Sequence, residues 1–569
     1  MENEATFVAP EGVYTVTEEH KPSVLPHVVA AAPPIYPTRV STVVVKFPAN
    51  KSGGGPGFAQ LLGGNKESRK EKPKEKEDAI SLSSSDSPED DTSPTQDTAT
   101  REHTLFAPTA AGKKRAVSRP KHNIRTTSST FITRMQNAEG SSRILQSKQG
   151  DVTFIFYNVF KSFLWIEAGA KTKEPLARVT FSAYPTCHDV NLSTSSSEHL
   201  DVIIGFSTGD LVWLDPIASR YGRLNKQGSI TNSPCTAVRW VPSSSSLFLV
   251  AHADGTIIVY DKEREDGNFT PQDPASKNAS DSLSPDGASK PWDPIDSIFV
   301  TMPPWHPVSS GGIAPSKDKV AKNPVSHWRV SRRAVVNFVF SPDVKYVAAI
   351  SEDGCLRVID TLAEQLVDCY ASYFGALTTV AWSPDGRFIL TGGQDDLLTI
   401  FSPWEQRVVA RCQGHSSFVS AVAFDDLRCD GRTYRFGSVG EDNKLILWDF
   451  SSGALHRPKF QPTHQQRVSM ASTVSLAFRR DRSTLFLPGA GDENSPFPRF
   501  HPAPSRNEIA VVQPCLIKPI DSDILSTVAF LPRSILTSTK NGYIKLWIRP
   551  LALRSRMKHR TPAPDVDAL

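Results

Sequence analysis

Short runs of four to six apolar and β-branched residues, broken by polar turns, recur along this chain in a set order. The first run of the unit appears as Ala237–Val241 (AVRWV), Val336–Phe340 (VNFVF), Thr378–Trp382 (TTVAW), Ser420–Phe424 (SAVAF) and Ser526–Phe530 (STVAF), with Val43–Phe47 (VVVKF) a fainter copy. Most are followed by a second apolar run, an Asp-Gly-like turn and a third run. The third run ends at Tyr260-Asp261, Ile359-Asp360, Phe401-Ser402, Trp448-Asp449 or Trp547-Ile548. Runs this short, punctuated by Ser-Pro-Asp-Gly or Asp-Gly, predict antiparallel strands joined by tight turns. No long stretch carries a helical period. A recurring unit of this kind is the signature of a repeat architecture.

The spacing predicts which one. The third runs end at Leu214, Tyr260, Ile359, Phe401, Trp448 and Trp547, so the gaps are 46, 99, 42, 47 and 99 residues. Three lie near the roughly 40–45 residues of a four-stranded propeller blade, and each gap of 99 is a blade plus an insert of roughly 50 residues. The expected fold is all-β, a propeller of seven blades with long disordered insertions. The blades are expected at 42–182, 200–232, 236–261 with a returning strand near 327–331, 336–370, 377–411, 418–449 and 525–548. Residues 1–50 would supply strands for ring closure and the first blade, with Glu11–Val16 completing the last blade. Residues 51–130 form a charged, Ser-rich insertion, too poor in core formers to offset the entropy of ordering. Blades follow over 150–260, a disordered insertion over 261–326, blades over 327–450, a mostly disordered insertion over 451–515, the last blade over 516–550 and a basic flexible tail over 551–569.

Charge and cysteine content narrow the function classes. In 569 residues, 64 Lys and Arg nearly balance 60 Asp and Glu, leaving +4. So small a net charge creates no field that would draw nucleic acid or a membrane surface. The seven cysteines (Cys187, Cys235, Cys355, Cys369, Cys412, Cys429, Cys515) are scattered without a CxxC pair. This argues against a disulfide framework and for a reducing compartment. The start has no signal-peptide pattern, and no apolar run approaches the roughly 20 residues of a membrane helix. The expectation is an intracellular protein of the cytoplasm. The basic tracts Lys113–His122 and Arg554–Arg560 read as solvated charge runs or, alternatively, as nuclear localisation signals. Ser83–Asp91 reads as a phosphorylation substrate. Gly53–Gly57 lacks the Lys-Ser/Thr of a phosphate loop, and Cys412 with His415 has no second pair to complete a zinc site. No cofactor, metal or small-molecule substrate is expected.

One constellation invites a catalytic reading. His415, Ser438 and Asp442 fall in a single unit with Trp448, and a Ser, a His and an Asp suggest nucleophile, base and orienter. The positions are those of a WD repeat: His before the first strand, Ser on the second, Asp in the tight turn, Trp on the third. Asp395, Asp353 and Asp254 occupy the same turn position in other units, as does Asn541. A catalytic set would appear once, whereas this one recurs, so the expected role is a hydrogen-bonded relay that locks the blade. Surface chemistry then rests on aromatics. Tyr373, Phe374 and Phe418 precede first strands, where a propeller presents its narrow face, and exposed aromatics on a rigid surface anchor protein contacts. Each could instead tuck against its own blade. Trp404 and Tyr434 are second-rank candidates.

The chain also carries narrower strings: EGVY near the start, PTCHDVN (Pro185–Asn191), GFSTG (Gly205–Gly209), WVPSSSSLFLVAHADG (Trp240–Gly255), YFG (Tyr373–Gly375), WSPDGRFILTGGQDDL (Trp382–Leu397) and TYRFGSVGED (Thr433–Asp442). In these it resembles the WD-repeat subfamily that binds and activates certain ubiquitin-specific proteases, and within it the fungal catabolite-repression members. The resemblance runs from about Phe7 to Pro550, outside the inserts. It implies a non-enzymatic partner that binds, stabilises and activates a CreB-like deubiquitinase and so influences carbon catabolite repression. It also implies a Trp before the first strand of the sixth blade where this chain has Phe418, which keeps an apolar contact but lacks the indole N–H. The rival class is a substrate receptor of a cullin–RING ubiquitin ligase. Such receptors often carry Trp-Asp-x-Arg after a blade, whereas here Phe450-Ser451 follows Trp448-Asp449.

Overall fold

The first runs become inner strands because they meet a neighbouring sheet on both faces. The structure is a computed structural model that describes residues 5–21, 36–48, 118–124, 130–170, 174–272, 274, 292–305, 321–451, 453, 499–505 and 507–550. In it seven small sheets close into a β-propeller. The inner strands of blades 1 to 7 are Val40–Phe47, Pro185–Val190, Cys235–Trp240, Val335–Phe340, Leu377–Trp382, Val419–Phe424 and Leu525–Phe530. Large apolar side chains fill the wedges between blades, and Trp328, Trp448 and Trp547 are essentially wholly buried. No helix among the described residues is long and apolar enough to cross a membrane.

A local irregularity stitches the ring. In blades 2 to 7 the strand register skips the second residue of the inner strand: Thr186, Thr236, Val336, Thr378, Ser420 and Ser526. Such a bulge leaves the residue unpaired and re-aims its side chain. Four of these hydroxyls donate to a carbonyl of the next blade: Thr186 to Cys235, Thr236 to Val335, Thr378 to Val419 and Ser526 to Thr38, at 2.5–2.9 Å. The Ser526 bond spans the junction between the last blade and the first.

Closure itself comes from the N-terminus. The hairpin Thr6–Ala9 with Gly12–His20 pairs antiparallel onto Ile544–Ile548 and gives blade 7 its fourth and fifth strands. The expected closing segment, Glu11–Val16, lies within it. Phe7 stacks on Tyr14 at 4.6 Å and packs against Trp547 at 5.2 Å. Blade 6 reaches across to hold the hairpin: the buried Arg435 guanidinium bonds Glu11 at 2.7 Å and Asp449 at 2.6 Å.

Several boundaries differ from the sequence expectation. Blade 2 starts at Pro185–Val190 rather than near 200, and blade 6 takes its fourth strand, Pro514–Pro519, from the end of the expected insertion and the start of the expected last blade, so 516–550 is not all one blade. The expected insertions also contribute strands where they are described. His122–Asn123 joins blade 2, Phe299–Thr301 blade 3, Phe500–His501 blade 4 and Ala510–Val512 blade 5, the last two in parallel. The physical reason is that an outer blade edge offers unpaired N–H and C=O groups that a returning chain can satisfy. Pieces of two or three residues carry too little pattern to be read in advance. Most of the expected disordered residues, Gly53–Gly57, Ser83–Asp91 and the tract Arg554–Arg560 lie outside the described residues, as does the first half of Lys113–His122.

A buried charge cluster joins blades 2 and 3 at the end where their second strands begin and third strands finish. His199 lies between Asp201 at 2.9 Å and Asp215 at 2.8 Å, and Lys262 of blade 3 meets Asp201 at 2.6 Å. Burial alone would lower the His199 imidazolium, but hydrogen bonds to the two carboxylates outweigh it and raise its pKa to about 9.

Two outcomes follow from these contacts. Tyr14→Ala should cost about 3–5 kcal/mol by analogy with large aromatic deletions, read as a lower midpoint in urea denaturation. His199 titrates above its ordinary value of 6.5, so its stabilisation is complete below pH 6.5 and is lost as pH rises through about 9. Stability measured across that window should fall by an amount on the order of 2–3 kcal/mol, and His199→Gln should flatten the slope.

Candidate functional site

Turns between second and third strands, and connections from one blade to the next, lie at the same end of the ring. Their backbones show it: the Gln394 amide donates to the Ala376 carbonyl at 3.0 Å, and the Glu441 amide to the Phe418 carbonyl at 2.8 Å. The opposite end holds the first-to-second and third-to-fourth strand turns.

At the first end, blade 6 carries a complete four-residue chain. Asp442 meets His415 Nδ1 at 3.0 Å, His415 Nε2 meets Ser438 Oγ at 2.8 Å, and the Trp448 indole N–H donates to the same hydroxyl at 2.9 Å. Burial raises the Asp442 carboxyl, but hydrogen bonds from His415 and the Ser416 amide outweigh it and hold it at about 2. The geometry is that of a nucleophile, base and orienter, yet Ser438 is fully buried and its oxygen also serves Trp448. No carbonyl can reach it, so the triad acts on the fold.

Other blades vary the theme. Asp353 in blade 4 accepts from Ser331 at 2.8 Å, Ser351 at 2.6 Å and the buried Arg357 at 2.7 Å. Asp254 in blade 3 accepts from Thr256 at 2.6 Å. Asp395 in blade 5 accepts from the Leu397 amide of its own turn at 3.3 Å. In blade 7 the Trp547 indole donates to Thr537 at 3.0 Å. Among the described residues, blade 6 links all four expected positions.

This relay sets the shape of an exposed loop. The same Asp442 carboxylate accepts the Ser416 amide at 3.0 Å, and Lys444 donates to Ser416 Oγ at 2.9 Å. With the Phe418 carbonyl held by Glu441, the loop is pinned on both sides of Phe418, which stands 41% exposed. One junction away, Gly375 turns with φ +67°. Ser372 Oγ donates to the Gly375 carbonyl at 3.1 Å, and the Ala376 amide donates to Gln394 at 3.0 Å. Phe374 at the loop's tip is 74% exposed.

The other expected aromatics lie differently. Tyr373 is half-buried in the same loop. Trp404 is in the third-to-fourth strand turn of blade 5 at the opposite end of the ring, half-buried beside Trp382 and Pro384. Tyr434 is fully buried, its hydroxyl bonded to Asp385 at 2.5 Å. It ties two turns together and presents nothing to a partner. A residue the sequence reading passed over belongs with the candidates: Phe160, 48% exposed, at φ 50° in the tight turn of blade 1. Its signal was a Phe-Lys pair where a strand turn favours Asn-Gly or Asp-Gly. Each of the three phenylalanines exposed among the described residues is at this end of the ring.

Removing Ser438 orphans two buried partners at once. Ser438→Ala should therefore cost about 1–3 kcal/mol, measured by urea denaturation, and His415→Ala a similar amount.

The family model for the WD domain, G-beta repeat, matches residues 367–402. The chain is 38% identical over 427 residues to the UBP9-binding protein bun62 of Schizosaccharomyces pombe, covering 74% of this chain and 75% of that protein. A chain in a crystal structure of the mitotic checkpoint complex aligns over 76% of this chain and 98% of its own, with 11% identity and a TM-score of 0.44, too loose a likeness to carry an argument. With the seven-bladed ring and the blade 6 relay, the similarity to bun62 makes this chain a member of the WD-repeat family to which that protease-binding protein belongs.

Proposed function

We propose that this chain is a non-catalytic scaffold that binds, stabilises and activates a ubiquitin-specific protease through the end of the ring bearing Phe374 and Phe418. The observation that carries the proposal is the pair of rigidly held, exposed phenylalanines at consecutive blade junctions. Aromatic anchors whose loops are already ordered lose little entropy on docking, and so retain more of their burial energy as affinity. The name of the 38% identical relative, a UBP9-binding protein, supports the class of partner.

The partner in this reading is a CreB-like deubiquitinase, the chain acts as a CreC-like regulator in carbon catabolite repression, and the complex works in the cytoplasm and the nucleus. A scaffold that binds the competent arrangement of the protease better than the idle one shifts its population toward activity without supplying a catalytic group.

The test is cleavage of a fluorogenic ubiquitin substrate by the purified protease with increasing amounts of this chain. A several-fold rise that saturates is expected. Phe374→Ala with Phe418→Ala should weaken binding at least tenfold, about 1.4 kcal/mol or more. A change within about threefold, under ~0.7 kcal/mol, would remove these residues from the interface. Loss of the chain from cells should relieve glucose repression; unchanged repression would sink the pathway assignment.

A further inference from the structure

The end of the ring away from the phenylalanines carries an aromatic groove that the proposed function leaves unused. It lies between the turns of blades 4 and 5, has a volume of about 280 Å3, and is lined by Tyr346, Trp382 and Trp404 with Pro342, Pro384 and Pro403. Gly386 leaves the strip between Pro342 and Trp382 uncovered: a Cβ there would lie 3.6 Å from Pro342 Cδ and 3.8 Å from Trp382 Nε1. The charged groups in the lining are two carboxylates, Asp343 and Asp385, with no cation among them. Asp385 is engaged on both oxygens, by Ser383 at 2.7 Å and Tyr434 at 2.5 Å. Asp343 is exposed, with one oxygen taking Ser341 Oγ at 2.5 Å.

We propose that this groove binds a proline-rich, basic segment of a partner protein in the polyproline II conformation. Such a segment has no internal hydrogen bonds and presents its rings outward, so it can lie along the strip of aromatic and proline side chains without giving up bonds of its own. Its prolines pack on flat aromatic faces with little entropy to lose, the mode used by other proline-recognition grooves. The acidic rim selects a Lys or Arg beside the prolines, with Asp343 as its partner. The site is independent of the phenylalanine face, so either can fail without the other.

The probe is a fluorescein-labelled peptide of repeated Pro-Pro-Arg, titrated with the full chain and followed by anisotropy. Saturable binding tighter than about 1 mM is expected, weakened at least tenfold by Trp404→Ala. A peptide with alanine for each proline, or glutamate for each arginine, should not bind. Asp343→Lys is the second variant, in an exposed turn that does not enter the core, and should weaken binding and reduce its salt dependence. An unchanged melting curve for each variant separates loss of the groove from loss of the fold. Absence of saturable binding, equal affinity for the alanine peptide, or indifference to both variants overturns the proposal. So does binding lost through Phe374→Ala instead, which puts the peptide on the other face. Self-association abolished by Trp404→Ala would give the groove to a second copy of this chain and equally overturn it.

Discussion

A propeller works as a scaffold only if the ring is closed, because an open ring leaves the edge of its last blade unpaired and its terminal blades without a neighbour. Here closure depends on about fifteen residues at the N-terminus meeting a strand more than five hundred positions later. The Phe7–Tyr14–Trp547 packing supplies apolar burial, and the Arg435 fork on Glu11 and Asp449 fixes where the hairpin sits. The Arg435 contact also couples blade 6 to blade 7, so the blade with the full relay is the one that grips the closing strand. A buried arginine held by two carboxylates is costly to break and specific in geometry.

From that closed ring, rigidity passes outward to the surface by short covalent and hydrogen-bonded steps. Asp442 serves both the buried histidine and the backbone of the exposed loop two residues before Phe418. The relay resembles catalytic machinery because orienting a hydroxyl for chemistry and orienting one for packing require the same hydrogen bonds. What differs is access, and the fully buried Ser438 has none. Blade 4 meets the same structural need with a buried arginine, so the requirement is a satisfied Asp in the turn rather than a particular partner for it.

The returning ends of the inserts bind the outside of the ring. After the third strand of blade 6, the chain reappears against blade 4, crosses blade 5 in a parallel pairing and only then completes blade 6. His501 stacks on Tyr370 at 4.6 Å and bonds Asp368 at 2.9 Å on the way. The belt links three blades by contacts that no local pattern records.

Much of the fold was legible in the sequence because each blade is a local object: three strands and two tight turns within some thirty residues, with period-2 patterning and Asp-containing turns. The recurrence of Asp254, Asp353, Asp395 and Asp442 at one offset from the third-run end made the relay readable as structure. The exposed loop positions of Phe374 and Phe418 followed from the same register. Tertiary structure decided the rest, for two physical reasons. Strand partners far apart in sequence, such as Pro514–Pro519 on blade 6, are chosen by which edge is left unpaired, and that is a property of the assembled ring. Exposure depends on what packs alongside: Tyr434 and Phe418 are both aromatics at the edge of a strand, yet one is sealed against Asp385 and the other stands in solvent. The sequence by itself determined the repeating blade, its turns and its relay; only the closed ring decided which aromatics face outward, at which end, and which distant segments complete each sheet.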